Sequence, residues 1–336
     1  MTDQSNVDVL DQAALAQYRQ KRAEWLHLLN EDEHHAIWGQ ITNMIWDDAS
    51  FRILNEARNP KLSPNGSSAQ NALLANFIDR GYVLGQVIAL RKLVEKNPSD
   101  KKKGVVTLRR LLDDLRAHRH LLTREIYVAH DGLPYDYEEV ERQWWEQHFA
   151  NRSSSGVTVS SISTTGSGAF DTSKRSHQQF DRLSGVKPED RSRTDCISES
   201  VFDTLDRWIK ESGASTIIDM GNKFLAHAAD SVSRASVSLD RFGLTMDQIA
   251  AAHRAFVRVA QAISVSILDD SCHVGVVAVP QHDQFENLDF PYVDTEALPV
   301  LHQHWDTYTT ERDGWLDGVV DELVVNPSML SPGVGN

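Results

Sequence analysis

The stretch TMDQIAAAHRAFVRVAQAISVSI, residues 245–267, decides the fold class. Its large apolar side chains recur at intervals of three, four and seven residues, which is the period of one face of an α-helix. Thr245 stands just before this pattern, where a hydroxyl oxygen accepts hydrogen bonds from the unpaired N–H groups of a first helical turn. The stretch therefore predicts an amphipathic helix capped by Thr245. Its apolar stripe consists of Ile249, Phe256, Ala260, Ile263 and Ile267.

The same helical period recurs along the chain, whereas strand signals are nearly absent. One short strand is predicted at residues 274–279. Gly81, Gly85 and Ala89 lie four residues apart, and such small residues on one helix face predict the close approach of another helix. The predicted fold class is all-α. Further helices are predicted over residues 12–58, 69–95, 107–122, 197–209, 216–233 and 299–323.

Composition is that of a globular protein and excludes several other classes. Of 336 residues, 40% are hydrophobic and 24% are charged. Only two cysteines occur, Cys196 and Cys272, which excludes a disulfide scaffold and fits a reducing compartment. The acidic N-terminus does not resemble a signal peptide, and no apolar run approaches the roughly 18 residues of a membrane span. We therefore expect a cytoplasmic protein without a membrane partner.

Composition also divides the chain into parts. Residues 1–10 and 326–336 are predicted to be flexible tails. Residues 151–172 are rich in Ser, Thr and Gly and predict a flexible loop, because they contain little to bury. Two helical parts, residues 11–150 and 173–325, are predicted to form one composite domain.

A basic segment contrasts with the net charge of −14. Residues 91–124 carry eleven basic and four acidic side chains. This helix could contact phosphate or an acidic partner. Alternatively, it is a solvated face whose arginines pair with Asp113 and Asp114. The candidate residues for binding RNA or a partner are Arg109, Arg110, Arg116 and Arg119.

Known motifs for nucleotides, metals and nucleophiles are missing from the sequence. No P-loop, GxGxxG, HExxH or GxSxG string is present. The run DEHH at residues 32–35 suggests metal ligands, but adjacent helical residues point about 100° apart and do not converge. His302 and Asp306, four residues apart, predict a surface pair. The sequence therefore predicts no metal and no cofactor.

The string DMGNKFLAHAAD, residues 219–230, holds the most informative group of side chains. On a helix, Asp219, Lys223 and His227 are successive neighbours, and Asp230 follows three residues later. An imidazole oriented by a carboxylate can move protons near neutral pH, and a lysine beside it attracts a phosphodiester. The alternative is an ordinary amphipathic helix whose boundary histidine is capped by an acid.

The end of this string, GNKFLAHAAD, resembles the signature helix of HEPN domains (higher eukaryotes and prokaryotes nucleotide-binding). It is most similar to the AbiU-like branch of bacterial abortive-infection proteins. The resemblance spans about residues 20–320 and implies an all-α, HEPN-like helical bundle with extra N- and C-terminal helices and a Ser/Thr/Gly-rich insertion. The other similar strings are FIDR at 77–80 with ALRKL at 89–93, TLRRLL at 107–112, HQQFDRLSG at 177–185 and the closing helix at 305–315.

The resemblance also implies a site. Active HEPN ribonucleases carry an arginine, a polar residue and, after several spacers, a histidine. Carried over residue by residue, these positions fall on Gly221, Asn222 and His227, so glycine replaces the arginine. Metal-independent RNA cleavage needs a cation against the developing phosphorane charge. Here that role would fall to Lys223, or to an arginine of another helix such as Arg80 or Arg91.

Two functions are therefore predicted. The first is a HEPN-like protein of bacterial defence or toxin type that associates with RNA or a protein partner, with weak or absent ribonuclease activity. The second is an active metal-independent endoribonuclease with a non-standard cation. The resemblance also implies a homodimer. The candidate catalytic residues are His227, Asn222, Lys223 and Asp230.

Overall fold

The computed structural model divides the chain into two units, Met1–Ala278 and Val279–Asn336. Within the residues that it describes, the chain is helical and forms no β-strand, which confirms the all-α class. A single antiparallel bridge joins Thr123 to Cys196. The predicted strand at 274–279 is wrong for residues 275–279, which form bends and irregular chain. The described residues are 8–58, 71–96, 104–150, 167–221, 245–270, 275–286, 288 and 295–314.

The first unit contains helices α1 to α10, with π-helical turns His27–Glu31 after α1 and Ala262–Ile267 after α10. The helices are α1 Gln12–Leu26, α2 Ile37–Ala57, α3 Ala72–Val94, α4 Leu108–Ala117, α5 Arg124–Ala129, α6 Tyr137–Ala150, α7 Ser167–Ser184, α8 Glu199–Glu211, α9 Ala214–Gly221 and α10 Met246–Gln261.

Helices α4 and α10 begin at the side-chain caps that the sequence predicts. The Thr245 hydroxyl accepts a hydrogen bond from the Gln248 backbone N–H at 3.2 Å. The Gln248 side chain in turn accepts from the Thr245 backbone N–H at 2.9 Å, which completes a capping box. The Thr107 hydroxyl also accepts a hydrogen bond, from the Arg110 backbone N–H at 3.0 Å, and so caps α4. Both predicted N-termini are confirmed, although α4 ends at Ala117 and a 3₁₀ turn, Arg119–Leu121, follows.

One hydrophobic core holds the first unit together. The apolar stripe predicted for residues 249–267 is buried, so that prediction is confirmed. Because buried apolar area is the main favourable term in folding, these side chains fix how the helices pack. The largest fully buried apolar side chains are Trp25, Tyr18, Phe180, Phe202 and Phe256.

The predicted helix over residues 12–58 is interrupted at residues 32–36. There the Asp32 carboxylate accepts hydrogen bonds from the backbone N–H groups of His34 and His35, at 3.2 and 2.7 Å. A short acid that bonds nearby N–H groups competes with helix continuation. The DEHH run is therefore a turn that joins two helices.

Of the three segments predicted to be flexible, two lie partly within the described residues. Val9 is buried, so residues 8–10 of the predicted tail belong to the folded unit. Helix α7 begins at Ser167 and buries Ala169 and Phe170, so residues 167–172 of the predicted loop are helical. Residues 1–7, 151–166 and 326–336 lie outside the described residues.

The small residues of α3 do not have the role predicted for them. A Cβ atom added at Gly81 or Gly85 would meet no heavy atom within 4 Å. No helix of the described chain therefore approaches these glycines closely, and the predicted close packing there is wrong.

Helix α3 is the described helix that is long and apolar enough to cross a membrane, with a mean hydropathy of 1.2 over 18 residues. This corrects the expectation that no apolar run approaches such a span. Length and composition alone are weak grounds for a span, since core helices share them. Val87, Leu90 and Leu93 of α3 belong to the hydrophobic core.

The second unit contains a 3₁₀ turn, Thr295–Ala297, and helix α11, Leu298–Asp313. None of the side chains of α11 is buried. Its exposed apolar residues include Leu298, Leu301, Trp305 and Tyr308. His302, His304 and Asp306 are exposed on the same helix.

Candidate functional site

The HEPN-like string begins at the end of α9. Asp219 is exposed and Ile217 is buried, as an amphipathic helix requires. Gly221 is the last described residue of this helix. The four predicted catalytic residues, Asn222, Lys223, His227 and Asp230, lie outside the described residues.

Gly221 is buried directly against α3. A Cβ atom built on Gly221 would lie 2.1 Å from Cγ1 of Val87, 3.0 Å from its Cγ2 and 3.1 Å from its Cβ. Real carbon atoms do not approach so closely, because the repulsion rises steeply below about 3.5 Å. The close approach of α9 to α3 therefore requires glycine at the position where the resemblance puts an arginine.

A buried polar side chain, Gln86, lies beside this contact, on the residue of α3 that precedes Val87. The Gln86 side-chain amide donates to the Met44 carbonyl oxygen at 3.0 Å. His253 of α10 donates through Nε2 to the Gln86 side-chain oxygen at 2.8 Å. Burial lowers the pKa of His253 below its ordinary value, so the imidazole is neutral at pH 7. This chain of bonds ties α2, α3 and α10 together.

A second polar group joins the same three helices. The Asp48 carboxylate accepts hydrogen bonds from Tyr82 on α3 and from Arg52 Nε, the latter at 2.8 Å. Arg52 also donates to the Met246 carbonyl oxygen at 3.1 Å. Burial, followed by the contact with Asp48, raises the pKa of the Tyr82 phenol.

Sequence reasoning missed both polar groups, although a signal for them exists. Gln86 interrupts an apolar run, and His253 lies four residues after Ile249 and three before Phe256, on the buried stripe of α10. A polar residue at such a core position predicts a buried hydrogen-bond partner. The bonds observed are internal to the fold, so they indicate a structural role.

Three of the four predicted RNA-binding arginines contact carboxylates of α8. Arg109 bonds both Asp113 of its own helix and Asp206. Arg116 places its guanidinium 2.6 Å from Asp206, 2.8 Å from Asp203 and 2.9 Å from Glu199. The pairing of Arg109 with Asp113 fits the interpretation of this helix as an internally paired face.

Arg119 and Arg110 differ in their surroundings. Arg119 lies 3.4 Å from Glu199 and donates to the Ile197 carbonyl oxygen at 2.8 Å. Arg110 donates to the Val105 carbonyl oxygen at 2.8 Å and lines a groove between α1 and α4. Arg110 thus lies away from the α8 carboxylates that the other three contact.

The groove beside Arg110 has a volume of about 450 Å³ and a mixed charge. Lys21 binds Asp114 at 3.2 Å across it, and the Trp25 indole N–H donates to the same carboxylate at 2.7 Å. Glu24 and Asp113 also line the groove. Since acids outnumber bases here, the groove exerts no net attraction on phosphate.

The last arginine of the basic segment, Arg124, is fully buried. Its guanidinium donates to Asp195 and to Asp181, each at 2.8 Å, and lies over the Phe180 ring. Burial opposes the charge of Asp181, but bonds from Arg191 and Arg124 keep the pKa of that carboxyl below its ordinary value. The HQQFDRLSG string, which contains Phe180 and Asp181, thus contributes to a structural ion cluster.

Among the described residues, no group of three or more His, Cys, Asp or Glu side chains is arranged to hold a metal ion. Comparisons of the chain with protein-family models, with curated proteins and with solved structures find no match. The grounds for a function are therefore the contacts of the chain itself.

Proposed function

We propose that this chain is a HEPN-like helical protein of defence or toxin type that acts by binding a partner and not by cleaving RNA. The packing of Gly221 against Val87 carries the proposal. A single Cβ at this position already lies 2.1 Å from the Val87 side chain. An arginine at 221 would force α3 to move, so the family's catalytic cation has no place there.

The charges of α4 support a protein partner over RNA. Arg109 and Arg116 are already neutralised by carboxylates, so RNA phosphates would have to displace those intramolecular pairs. The net charge of −14 adds a general repulsion of polyanions. Phosphate contacts dominate the affinity of proteins for nucleic acid, and here the exposed cations needed for them are reduced.

The test is RNA cleavage by the purified full-length protein in EDTA, with His227→Ala as the matched variant. We expect neither protein to cleave single-stranded or structured RNAs. Cleavage by the wild type that disappears in His227→Ala would overturn the proposal.

RNA binding is tested separately by titrating labelled RNA at rising salt concentrations. We expect weak binding that is the same for the wild type and Arg110→Glu, a variant that spares the pairs between α4 and α8. A saturable affinity that falls with salt and with Arg110→Glu would restore RNA as the partner.

One observation favours the active ribonuclease as a second candidate. Arg91 is exposed and lies four residues after Val87, hence one turn further along the same side of α3. It is the cation that this candidate would use in place of the missing arginine. In that case Arg91→Ala abolishes cleavage as His227→Ala does, while the neighbouring variant Lys92→Ala retains it.

A further inference from the structure

Helix α7 binds the chain segment that leads into α6 through two side chains one turn apart. Ser173 Oγ donates to the Pro134 carbonyl oxygen at 2.6 Å. His177 Nε2 donates to the Tyr135 carbonyl oxygen at 2.8 Å. Because the two donors share one face of α7 and the two acceptors are consecutive, residues 134–135 lie along that face. We call this segment together with α6, residues 134–150, the α6 flap.

The His177 imidazole is buried under the α6 flap, and only 3% of the residue is exposed. Since a carbonyl oxygen accepts, Nε2 carries the ring proton and Nδ1 has a lone pair. No described polar atom lies within hydrogen-bond distance of Nδ1. The phenol rings of Tyr135 and Tyr137, uncharged at neutral pH, lie 4.8 and 5.5 Å from the imidazole centroid. A proton on Nδ1 would therefore create a buried cation without an acceptor at that nitrogen.

The charged side chains around the imidazole do not offset such a cation. Arg124 of α5 donates to the His177 backbone carbonyl oxygen at 3.4 Å. Asp181, one turn further along α7, is already bonded to Arg124 and Arg191, at 2.8 and 2.6 Å. The π-helical turn at residues 262–267, which also packs against α7, carries no titratable side chain. Burial, together with Arg191 and Arg124, therefore holds the pKa of His177 below its ordinary value despite the hydrogen bond to the backbone.

Helix α6 is weakly anchored compared with α7. Of its side chains that the structure describes, at residues 137–147, none is buried. The Trp144 ring lies 6.0 Å from the Phe170 ring of α7, whereas Phe180 fixes α7 in the core. Glu141, the acid of α6 on the side of the imidazole, is partly exposed. An element with so little buried surface opens locally at a lower free-energy cost than the core helices.

We propose that the α6 flap is an acid-sensitive element of the fold, in which a proton on His177 releases residues 134–150 from α7 while the core of the first unit stays packed. Opening hydrates the imidazolium and uncovers Phe170, which is buried in the closed form. This property goes beyond partner binding and does not depend on it.

The direction of the pH effect follows from where the proton binds more tightly. In the open flap the His177 pKa returns to about 6.5, whereas in the closed flap the pKa is lower. Protons therefore favour the open form, and opening increases as the pH falls below about 6.5. One pH unit below that value the open imidazole is about ten times more often protonated than neutral, so opening rises by at most about tenfold.

The test is amide hydrogen–deuterium exchange of the full-length protein, measured by mass spectrometry at about pH 7.5 and about pH 5.5 and corrected for the intrinsic exchange rates. We expect the protection of α6 peptides to fall by about fivefold to tenfold at the lower pH. Peptides from α8, residues 199–211, should keep their protection.

His177→Gln is the decisive variant, because its amide can still donate a hydrogen bond but does not titrate in this range. We expect it to remove the pH effect on α6. The matched controls are His130→Gln and His148→Gln, which replace histidines near the start and the end of the flap. Both should keep the pH effect, and circular dichroism checks that all three variants fold like the wild type.

Several outcomes would overturn the inference. These are an α6 protection that does not change with pH in the wild type, a pH effect retained by His177→Gln, or one lost in either control. Equal loss of protection in α8 would indicate global unfolding and not a flap. The wild type provides a further test if His177→Gln does not fold: a transition centred near pH 4 would assign the effect to a carboxyl group such as Asp181 or Glu141.

Discussion

Two helices, α3 and α4, carry cations of the same basic segment, but these cations lie in different surroundings. Arg109 and Arg116 of α4 contact carboxylates that α8 presents at Glu199, Asp203 and Asp206. Lys92, on α3, is exposed. A run of positive charge in a sequence therefore does not define a binding surface until the positions of the acids are known.

The difference has a simple geometric cause. The α8 acids recur at intervals of four and three residues, so they share one helix face and meet α4 together. On α3, the residues that face the core are Gln86, Val87, Leu90 and Leu93, which leaves Lys92 on the opposite side. Packing, and not charge count, decides which cations remain accessible.

Arg124 is the fully buried arginine of the basic segment, and its replacement should cause the largest loss of stability. Replacing it with Met removes a fully buried partner from Asp181 and Asp195, and removing one side of a buried ion pair costs about 3–5 kcal/mol. Urea denaturation measures the loss in the free energy of unfolding.

The control for this variant is Arg119→Met, whose charge is partly exposed. We expect that variant to lose only about 0.2–1 kcal/mol. Equal losses in the two variants would show that burial does not separate the arginines of this segment.

Substitutions at two glycines test the contrast between the buried and exposed sides of α3. Gly221 of α9 packs against the buried side, and Gly85 lies on the exposed side. Gly221→Ala puts a Cβ into the Val87 side chain, and overpacking of this kind costs about 1–3 kcal/mol. Gly85→Ala puts a Cβ into open space in a helix interior, so helix propensity should stabilise the protein by about 0.5–1 kcal/mol.

The measurement is again the free energy of unfolding, with Val87→Ala combined with Gly221→Ala as a check. The double variant should recover part of the loss, because the shorter side chain makes room for the new methyl group. Destabilisation by Gly85→Ala equal to that by Gly221→Ala would contradict the packing described for α3 and α9.

The smallest effect concerns the ion pairs between α4 and α8. Asp206→Ala removes a carboxylate that Arg109 and Arg116 share at a partly exposed site, so we expect a loss of about 1 kcal/mol that shrinks in high salt. Lys92→Ala on α3 should change stability by no more than about 0.5 kcal/mol. A larger loss for Lys92→Ala would mean that α3 also uses its charge internally.

Local features of the fold could be predicted from the sequence. Thr107 and Thr245 cap their helices because a cap depends on residues only a few positions apart. The buried stripe of α10 follows from its helical period for the same reason. The break at residues 32–36 was missed, because the Asp32 side chain forms a turn within an otherwise continuous apolar period.

Contacts between distant residues could not be predicted. Nothing in the neighbourhood of Arg116 identifies α8 as the source of its carboxylates, and the spacing of Gly81 and Gly85 does not say whether another helix covers them. Position 221 could not be predicted for the same reason, since the need for glycine there comes from Val87, more than a hundred positions away. The catalytic roles of His227 and its neighbours stay predictions.

The contact between Gly221 and Val87 also constrains how this protein can evolve. A single substitution that adds a side chain at 221 meets the Val87 methyl groups, so selection against misfolding would remove it. A smaller residue at 87 would have to be fixed first, and that change alone would leave a cavity. Each position therefore holds the other in place, and an arginine at 221 is accessible only through a specific order of mutations.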